Sequence, residues 1–477
     1  MKLYNKIILP LLLTVWMLSG TALAADAYDG YLVRMEQTVS LFSERTTLPE
    51  GVEEIHAPAG LYKIQDAELA DLLLQEGLAS YAEPNYIVTL FDAPEEPAYL
   101  EGKQWNLDAM GMDYAWTKNI TGAGVRVGVI DSGIFSAHED FTGTTIVEGI
   151  NYCVKEESPQ RTDTGDVVGH GTFVSGIIAA AGNGVGTAGM APGVELVPLK
   201  CFSNTSSTVA QIAEAIYDAV DVYQCRVLNM SFGLPRDHSA LREAIEYAAE
   251  KGTVMVAAVG NLRTGTVSSG NDTLQYPAAY DCVIGVGAAD QSGSAAAFSY
   301  QNDSVFLTAP GASLWGLDHE DATSYKAGEG TSYAAPAVSA AVALAIGLQP
   351  EVTVDRLTGF LAETAGDQGD PGWDRANGWG FLQISPFLAA VDLMHQTETF
   401  LKPLYETESL QATVITYDEC GRMEQVRLFH MEETVDYGFI LDNLKTCKRV
   451  QLLLMDIQSD WIPFCAAKEL VFLPKER

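Results

Sequence analysis

Val125-Arg-Val-Gly-Val-Ile-Asp131-Ser-Gly133 reads as one strand, apolar nearly throughout, that ends in a carboxylate and a serine–glycine turn. A strand with one wet face alternates apolar and polar residues; a nearly continuous apolar run is covered on both faces. The same texture returns at 195–202, 226–231, 253–259 and 282–288, with helical patterns at 171–181, 209–222 and 241–251 between the strands. Strand and helix in alternation predict an α/β domain on a mainly parallel sheet. In such sheets the working residues gather at the carboxyl ends of the strands, and Asp131 stands at one of them.

Downstream, Gly328-Glu-Gly-Thr-Ser-Tyr-Ala-Ala-Pro336 delivers Ser332 to the start of a small-residue apolar run that lasts to Gly347. The run is nearly free of charge and predicts a buried helix. Pro336 is expected near its first turn, where a missing N–H costs little. Ser332 then sits at the positive end of the helix dipole beside unpaired backbone N–H groups, a place that suits a developing negative charge. Alone, such a serine reads first as a helix cap.

On either side the texture changes. Met1 to Ala24 carries Lys2 and Lys6, an apolar core from Ile7 to Leu18 and the small-residue site Ala22-Leu-Ala24, which predicts a cleaved export signal over 1–24. Residues 31–91 alternate like a small α+β unit: strands at Tyr31–Met35, Leu61–Ile64 and Tyr86–Phe91, and a helix at Ala67–Glu76. Asp92 to Gly102, with two prolines and four acids, reads as an exposed linker. Past Met394, short alternating runs predict a separate small β-sandwich or barrel over 400–477.

The 477 residues suggest about three units. With 63 acidic against 28 basic residues the formal net charge is −35, which argues against nucleic acid and anionic lipid as partners. No apolar span follows the signal that would anchor the mature chain, so a soluble, exported monomer is expected. Seven cysteines make an odd count, so at least one is free or bonded between molecules, and the lack of a Cys-x-x-Cys pair argues against zinc. Cys153, Cys201, Cys225 and Cys282 lie in apolar segments and read as buried small hydrophobes.

Three segments carry the chemistry: Val127-Gly-Val-Ile-Asp131-Ser-Gly, Gly169-His170-Gly-Thr-Phe-Val-Ser-Gly176 and Gly330-Thr-Ser332-Tyr-Ala-Ala-Pro336. Each places one reactive side chain at a strand end or helix start, beside glycines that permit close approach. A buried Asp131 needs a donor, and an imidazole N–H supplies one. In this order, Asp–His–Ser, the segments resemble those of the subtilisin-like (S8) serine peptidases, over about Gln104 to Leu393. No G-x-S-x-G elbow occurs, which sets aside the α/β-hydrolase reading.

The resemblance implies a three-layer subtilisin-like catalytic domain over 100–394, preceded by a ferredoxin-like propeptide over 25–99 and followed by a small β domain. It implies a triad of Asp131, His170 and Ser332. Asn261, ending Val256-Ala-Ala-Val-Gly-Asn261, would be the oxyanion-hole amide. Ser231, Phe232 and Gly233 would belong to an edge strand that pairs with the substrate backbone, and Gln275 would lie at the floor of the main specificity pocket. The function implied is a secreted, or cell-surface associated, serine endopeptidase acting on proteins and peptides, self-processed from a precursor inhibited by its own propeptide. Tyr99 or Leu100 would precede the cut. Alternatives are a dedicated processing protease directed by its C-terminal domain, and a non-catalytic surface-binding protein on the same fold. No cofactor for catalysis and no catalytic metal are implied. Asp140 and Asn183 sit where relatives hold a structural calcium ion, but two oxygen donors are too few to commit to it. His138 falls on a structural position, and Tyr333 stands where many relatives carry methionine.

Overall fold

A computed structural model of the chain describes residues 28–35, 52–56, 61–75, 78–86, 94–262, 272–406, 410–417, 423–429, 449–456, 462–463 and 468–470. The signal segment, the expected strand at 438–441 and Cys420, Cys447 and Cys465 lie outside them. Two compact units divide near Leu90 and Phe91.

In the first unit, β1 (Tyr28–Met35), β2 (Val52–His56), β3 (Leu61–Ile64) and β4 (Ala79–Tyr86) form an antiparallel sheet in the order β2-β3-β1-β4. The helix Ala67–Gln75 supplies Ala70 and Leu73 to a small core with Val33, Tyr62 and Ile64. The last strand begins earlier than the alternation of Tyr86–Phe91 suggests. Pro84 within it faces Tyr31 of β1, and an edge position tolerates its missing N–H.

The second unit is built on β5 (Arg126–Asp131), β6 (Thr145–Ile146), β7 (Ile150–Asn151), β8 (Glu195–Lys200), β9 (Val227–Met230), β10 (Val254–Ala258), β11 (Val283–Ala289) and β12 (Leu307–Pro310). These form an eight-stranded sheet in the order β12-β11-β10-β9-β5-β8-β6, with β7 also on β8, and every pairing is parallel. Alternate residues serve opposite layers. Val127 and Val129 of β5, with Val254 and Val256 of β10, face a core shared with the helices His170–Ala179 and Thr331–Leu348. Ile130, Met255 and Ala257 face the other core, with the helices Val209–Asp221 and Ser239–Glu250. Three layers follow directly from continuous apolar strands.

Several local expectations are corrected. Asn229–Gly233 is not an edge strand: β9 runs between β5 and β10, and Ser231–Gly233 continue past its carboxyl end. The linker is partly folded, since Pro97–Leu100 is helical and Glu96 and Ala98 are 2% and 4% exposed. Cys201 and Cys225 are buried as expected, but Cys282 is exposed because it lies in the turn just before β11. A helix spans Ile384–Glu406, across the expected boundary at 394–400. Beyond it, β15 (Leu410–Tyr417), β16 (Met423–Phe429), β17 (Arg449–Asp456), β18 (Ile462–Pro463) and β19 (Lys468–Leu470) make one five-stranded antiparallel sheet among the described residues.

Candidate active site

β5 delivers Asp131 to the carboxyl end of the sheet, 3% exposed. His170 is the first residue of its helix. Gly169 before it adopts φ 86°, and a side chain at that position would run into the His319 ring, so glycine is required twice over. Gly171 lets the helix approach the turn after β5, where a methyl would overlap the Gly133 carbonyl. With the backbones this close, His170 Nδ1 lies 2.8 Å and 3.0 Å from the two oxygens of Asp131. A carboxylate only accepts, so the proton is on Nδ1 and the neutral ring offers its Nε2 lone pair. Asp131 Oδ1 also accepts from Ser132 N at 2.7 Å.

Burial opposes the charged imidazole, yet the Asp131 carboxylate, its hydrogen bond and the more distant Asp166 together raise the His170 pKa above the ordinary histidine value. Its side chain remains 31% exposed, open to a reacting molecule. Asp166 is a residue that the sequence reading passed over. It is 6% exposed and accepts from Val168 N, Gly169 N and Thr172 N at 2.9 Å each and from Thr172 Oγ1 at 2.7 Å. Burial alone would raise its pKa; these four hydrogen bonds outweigh it and lower the pKa. Thr172 Oγ1 in turn accepts from Phe135 N at 3.0 Å, tying the His170 helix to the chain after β5. The signal was an acid four residues before His170, at a helix start.

Ser332 is the second residue of its helix, which begins at Thr331. Pro336 lies deeper than the first turn and leaves the Ser332 carbonyl without its N–H partner four residues on. Ser231 Oγ supplies the missing bond at 2.7 Å, and Ser332 Oγ donates to the Ser231 carbonyl at 3.0 Å. This exchange fixes the helix start against the chain beyond β9. It also means that the Ser332 hydroxyl rests on Ser231, with no hydrogen bond to His170 among the described residues. Such loose resting geometry is common without a bound substrate.

Asn261 follows β10. Its Oδ1 accepts from Thr331 N at 2.9 Å, which turns the Nδ2 donor toward the hollow beside Gly330 and the Ser332 N–H. Phe232 and Gly233 make no backbone hydrogen bond among the described residues, so their polar groups are available to an extended chain. Gln275 straddles the gap behind them: a methyl on Gly233 would stand 3.0 Å from its Cβ, and one on Gly260 2.9 Å from its Cγ. Tyr333 stacks between His170 and Phe173, with ring centroids 5.5 Å and 4.3 Å away, and burial first among the causes raises its pKa to about 12. His138 is buried, with Nε2 on the Ser324 carbonyl at 2.9 Å and Nδ1 accepting from Asp140 N, a bonding pattern that keeps it structural.

A sequence profile described as the "Subtilase family" matches residues 122–380. The chain belongs to the subtilase family. This subtilase is 35% identical over 266 residues to Subtilisin DY of Bacillus licheniformis, covering 54% of this chain and 89% of that one. It is 31% identical over 335 residues to the minor extracellular protease Epr of Bacillus subtilis, covering 69% of this chain and 49% of the other, so the chain spans about half the length of that relative. It is 33% identical over 302 residues to a thermophilic serine proteinase from a Bacillus species, with 63% and 71% covered. Among solved structures, MycP1 with its N-terminal propeptide removed superposes with a TM-score of 0.52 at 28% identity, covering 60% of this subtilase and 96% of that chain. Subtilases are serine-type endopeptidases, and the parallel three-layer fold agrees with membership.

One buried group in the His170 helix is unpaired. Ser175 is fully buried and its hydroxyl has no hydrogen-bond partner. An unpaired buried hydroxyl costs about 1–3 kcal/mol. Ser175→Ala is therefore expected to raise the melting temperature by about 2–4 °C, measured by calorimetry in an inactive background. A lower melting temperature would mean the hydroxyl is paired.

Proposed function

We propose that the chain is a secreted serine endopeptidase that works through an acyl-enzyme on Ser332 and is made as a self-processed precursor. The observation that carries this is the His170 Nδ1 contact with Asp131 at 2.8 Å, taken with a half-buried serine in the first turn of a buried helix. In the first step His170 Nε2 takes the hydroxyl proton as Ser332 Oγ bonds to the scissile carbonyl carbon. The carbonyl oxygen, now negative, is received by Ser332 N–H and Asn261 Nδ2. Asp131 keeps the ring in the working tautomer and offsets the imidazolium charge. His170 then gives its proton to the departing amine, and water, deprotonated by the same ring, releases the acyl group. Ser231, Phe232 and Gly233 offer backbone groups to an extended substrate.

The maturation cut belongs upstream of the position first expected. A peptidase needs several extended residues around the bond it cleaves, yet Tyr99 and Leu100 lie in the helix Pro97–Leu100. Glu96 is buried with Oε1 accepting from Gly184 N, Ala98 N donates to the Gly186 carbonyl at 2.9 Å, and Gln104 pairs with both backbone groups of Ala188. Residues 96–104 thus belong to the catalytic unit, and the cut falls between Tyr86 and Glu96. The test compares wild type with Ser332→Ala by intact mass and N-terminal sequencing. Wild type should lose the leading unit and begin no later than Glu96, while the alanine variant accumulates as precursor. Equal processing of both proteins would refute self-cleavage; a mature chain beginning at Leu100 or Glu101 would refute only the position.

A further inference from the structure

The residues that coincide with a calcium position in relatives do not fit that ion in this chain. Asp140 is 0% exposed and both its oxygens are engaged. Oδ2 accepts from Thr187 N at 2.8 Å and Thr187 Oγ1 at 2.7 Å; Oδ1 accepts from the Tyr325 hydroxyl at 2.7 Å. Asn183 turns its amide nitrogen to the carbonyls of Glu139 and Thr142, at 2.9 Å and 3.4 Å, and its oxygen accepts from Val185 N. The Gly186 carbonyl accepts from Ala98 N. The phenol oxygen lies so close to Gly186 that a methyl there would overlap both it and Asp140 Oδ1. A side chain therefore fills the inside of the loop at 181–188.

A cation in such a loop gathers several oxygens to one point. Here the Tyr325 hydroxyl stands at that point, 2.7 Å from Asp140 Oδ1 and 2.8 Å from Glu139 Oε1. The His138 ring meets the phenol ring edge-on at 5.0 Å and 87°, holding it in place. Tyr325 opens β14 (Tyr325–Gly328), which pairs with β13 (Leu314–Leu317) and leads within a few residues into Ser332. The loop at 181–188 follows the His170 helix. The phenol thus joins the strand that precedes the candidate nucleophile to Glu139 and Asp140, and through Asp140 to Thr187 in the segment that follows the candidate base.

We propose that Tyr325 is the built-in centre of this loop, doing the structural work that a bound calcium ion does there in relatives, so that the loop closes without metal. The proposal stands on hydrogen-bond geometry and is independent of the peptidase reading, because its test reads melting and not activity.

The experiment compares Ser332→Ala with Ser332→Ala/Tyr325→Phe, each melted in EDTA and in millimolar calcium chloride. The reference protein should melt at the same temperature in both. The Tyr325→Phe protein loses a hydrogen-bond donor to a buried carboxylate and should melt roughly 3–6 °C lower in EDTA. Calcium should restore part of that loss, since Asp140 and Glu139 are then free to meet an ion. Equal melting of the two proteins in EDTA would overturn the proposal. So would a calcium response of the reference protein that disappears in Asp140→Asn. If Tyr325→Phe fails to fold in EDTA but folds in calcium, the proposal is supported; failure to fold in both, with the reference protein requiring calcium, overturns it.

Discussion

Asp131→Asn is expected to lower kcat by about 10⁴ while leaving the fold and KM nearly unchanged. An asparagine amide is close in shape to the carboxylate, so the packing at the end of β5 survives, as do the bonds from Cys201 N and Phe202 N to the Asp131 carbonyl. What changes is the proton. The carboxylate accepts from His170 Nδ1 and thereby leaves Nε2 as a base. An amide can instead donate to Nδ1, which moves the ring proton to Nε2, where it blocks removal of the Ser332 proton. The lost negative charge also stops supporting the imidazolium. Steady-state kinetics on a peptide ester, with circular dichroism as a check on folding, measures this; a loss of tenfold or less would remove Asp131 from the mechanism.

Asn261→Ala is expected to cost about 10²–10³ in kcat, a size measured in a subtilisin and carried over here. The geometry supports applying it. Thr331 N pins Asn261 Oδ1 at 2.9 Å, so the Nδ2 donor is aimed in advance and needs no reorganisation when the oxyanion forms. The ground-state carbonyl oxygen does not occupy the same position, so KM should move little. A change confined to KM, with kcat preserved, would show that this amide holds substrate and not the transition state.

The fold was legible where burial on both faces imposed a visible pattern. β5, β8, β9, β10 and β11 are continuous apolar runs, and each lies in the parallel sheet as expected. The places of Asp131 at a strand end and of His170 and Ser332 at helix starts were legible from the glycines beside them. Contacts that only the fold creates were not legible. Asp166 is one acid in a polar loop until four donors, two from the chain just before the next helix and two from its Thr172, close on it. Tyr325 is far in sequence from Glu139 and Asp140, and nothing local announces that its hydroxyl enters their loop. Ser231–Gly233 looked like an edge strand because a run of residues does not say which neighbours flank it. The prolines and acids of 92–102 suggested exposure, yet a buried Glu96 finds its partner in Gly184 N, 88 residues onward.

The central claim is that Ser332 is a nucleophile activated by His170. The most direct test reacts the wild-type protein with a fluorophosphonate across a pH series and locates the adduct by mass spectrometry. A single adduct on Ser332 is predicted, absent in His170→Ala, with its rate falling as pH drops. The midpoint should lie above the ordinary histidine value, because Asp131 and Asp166 hold the proton on the ring and delay its loss to higher pH. A rate at Ser332 that persists without His170, or an adduct on another residue, would contradict it.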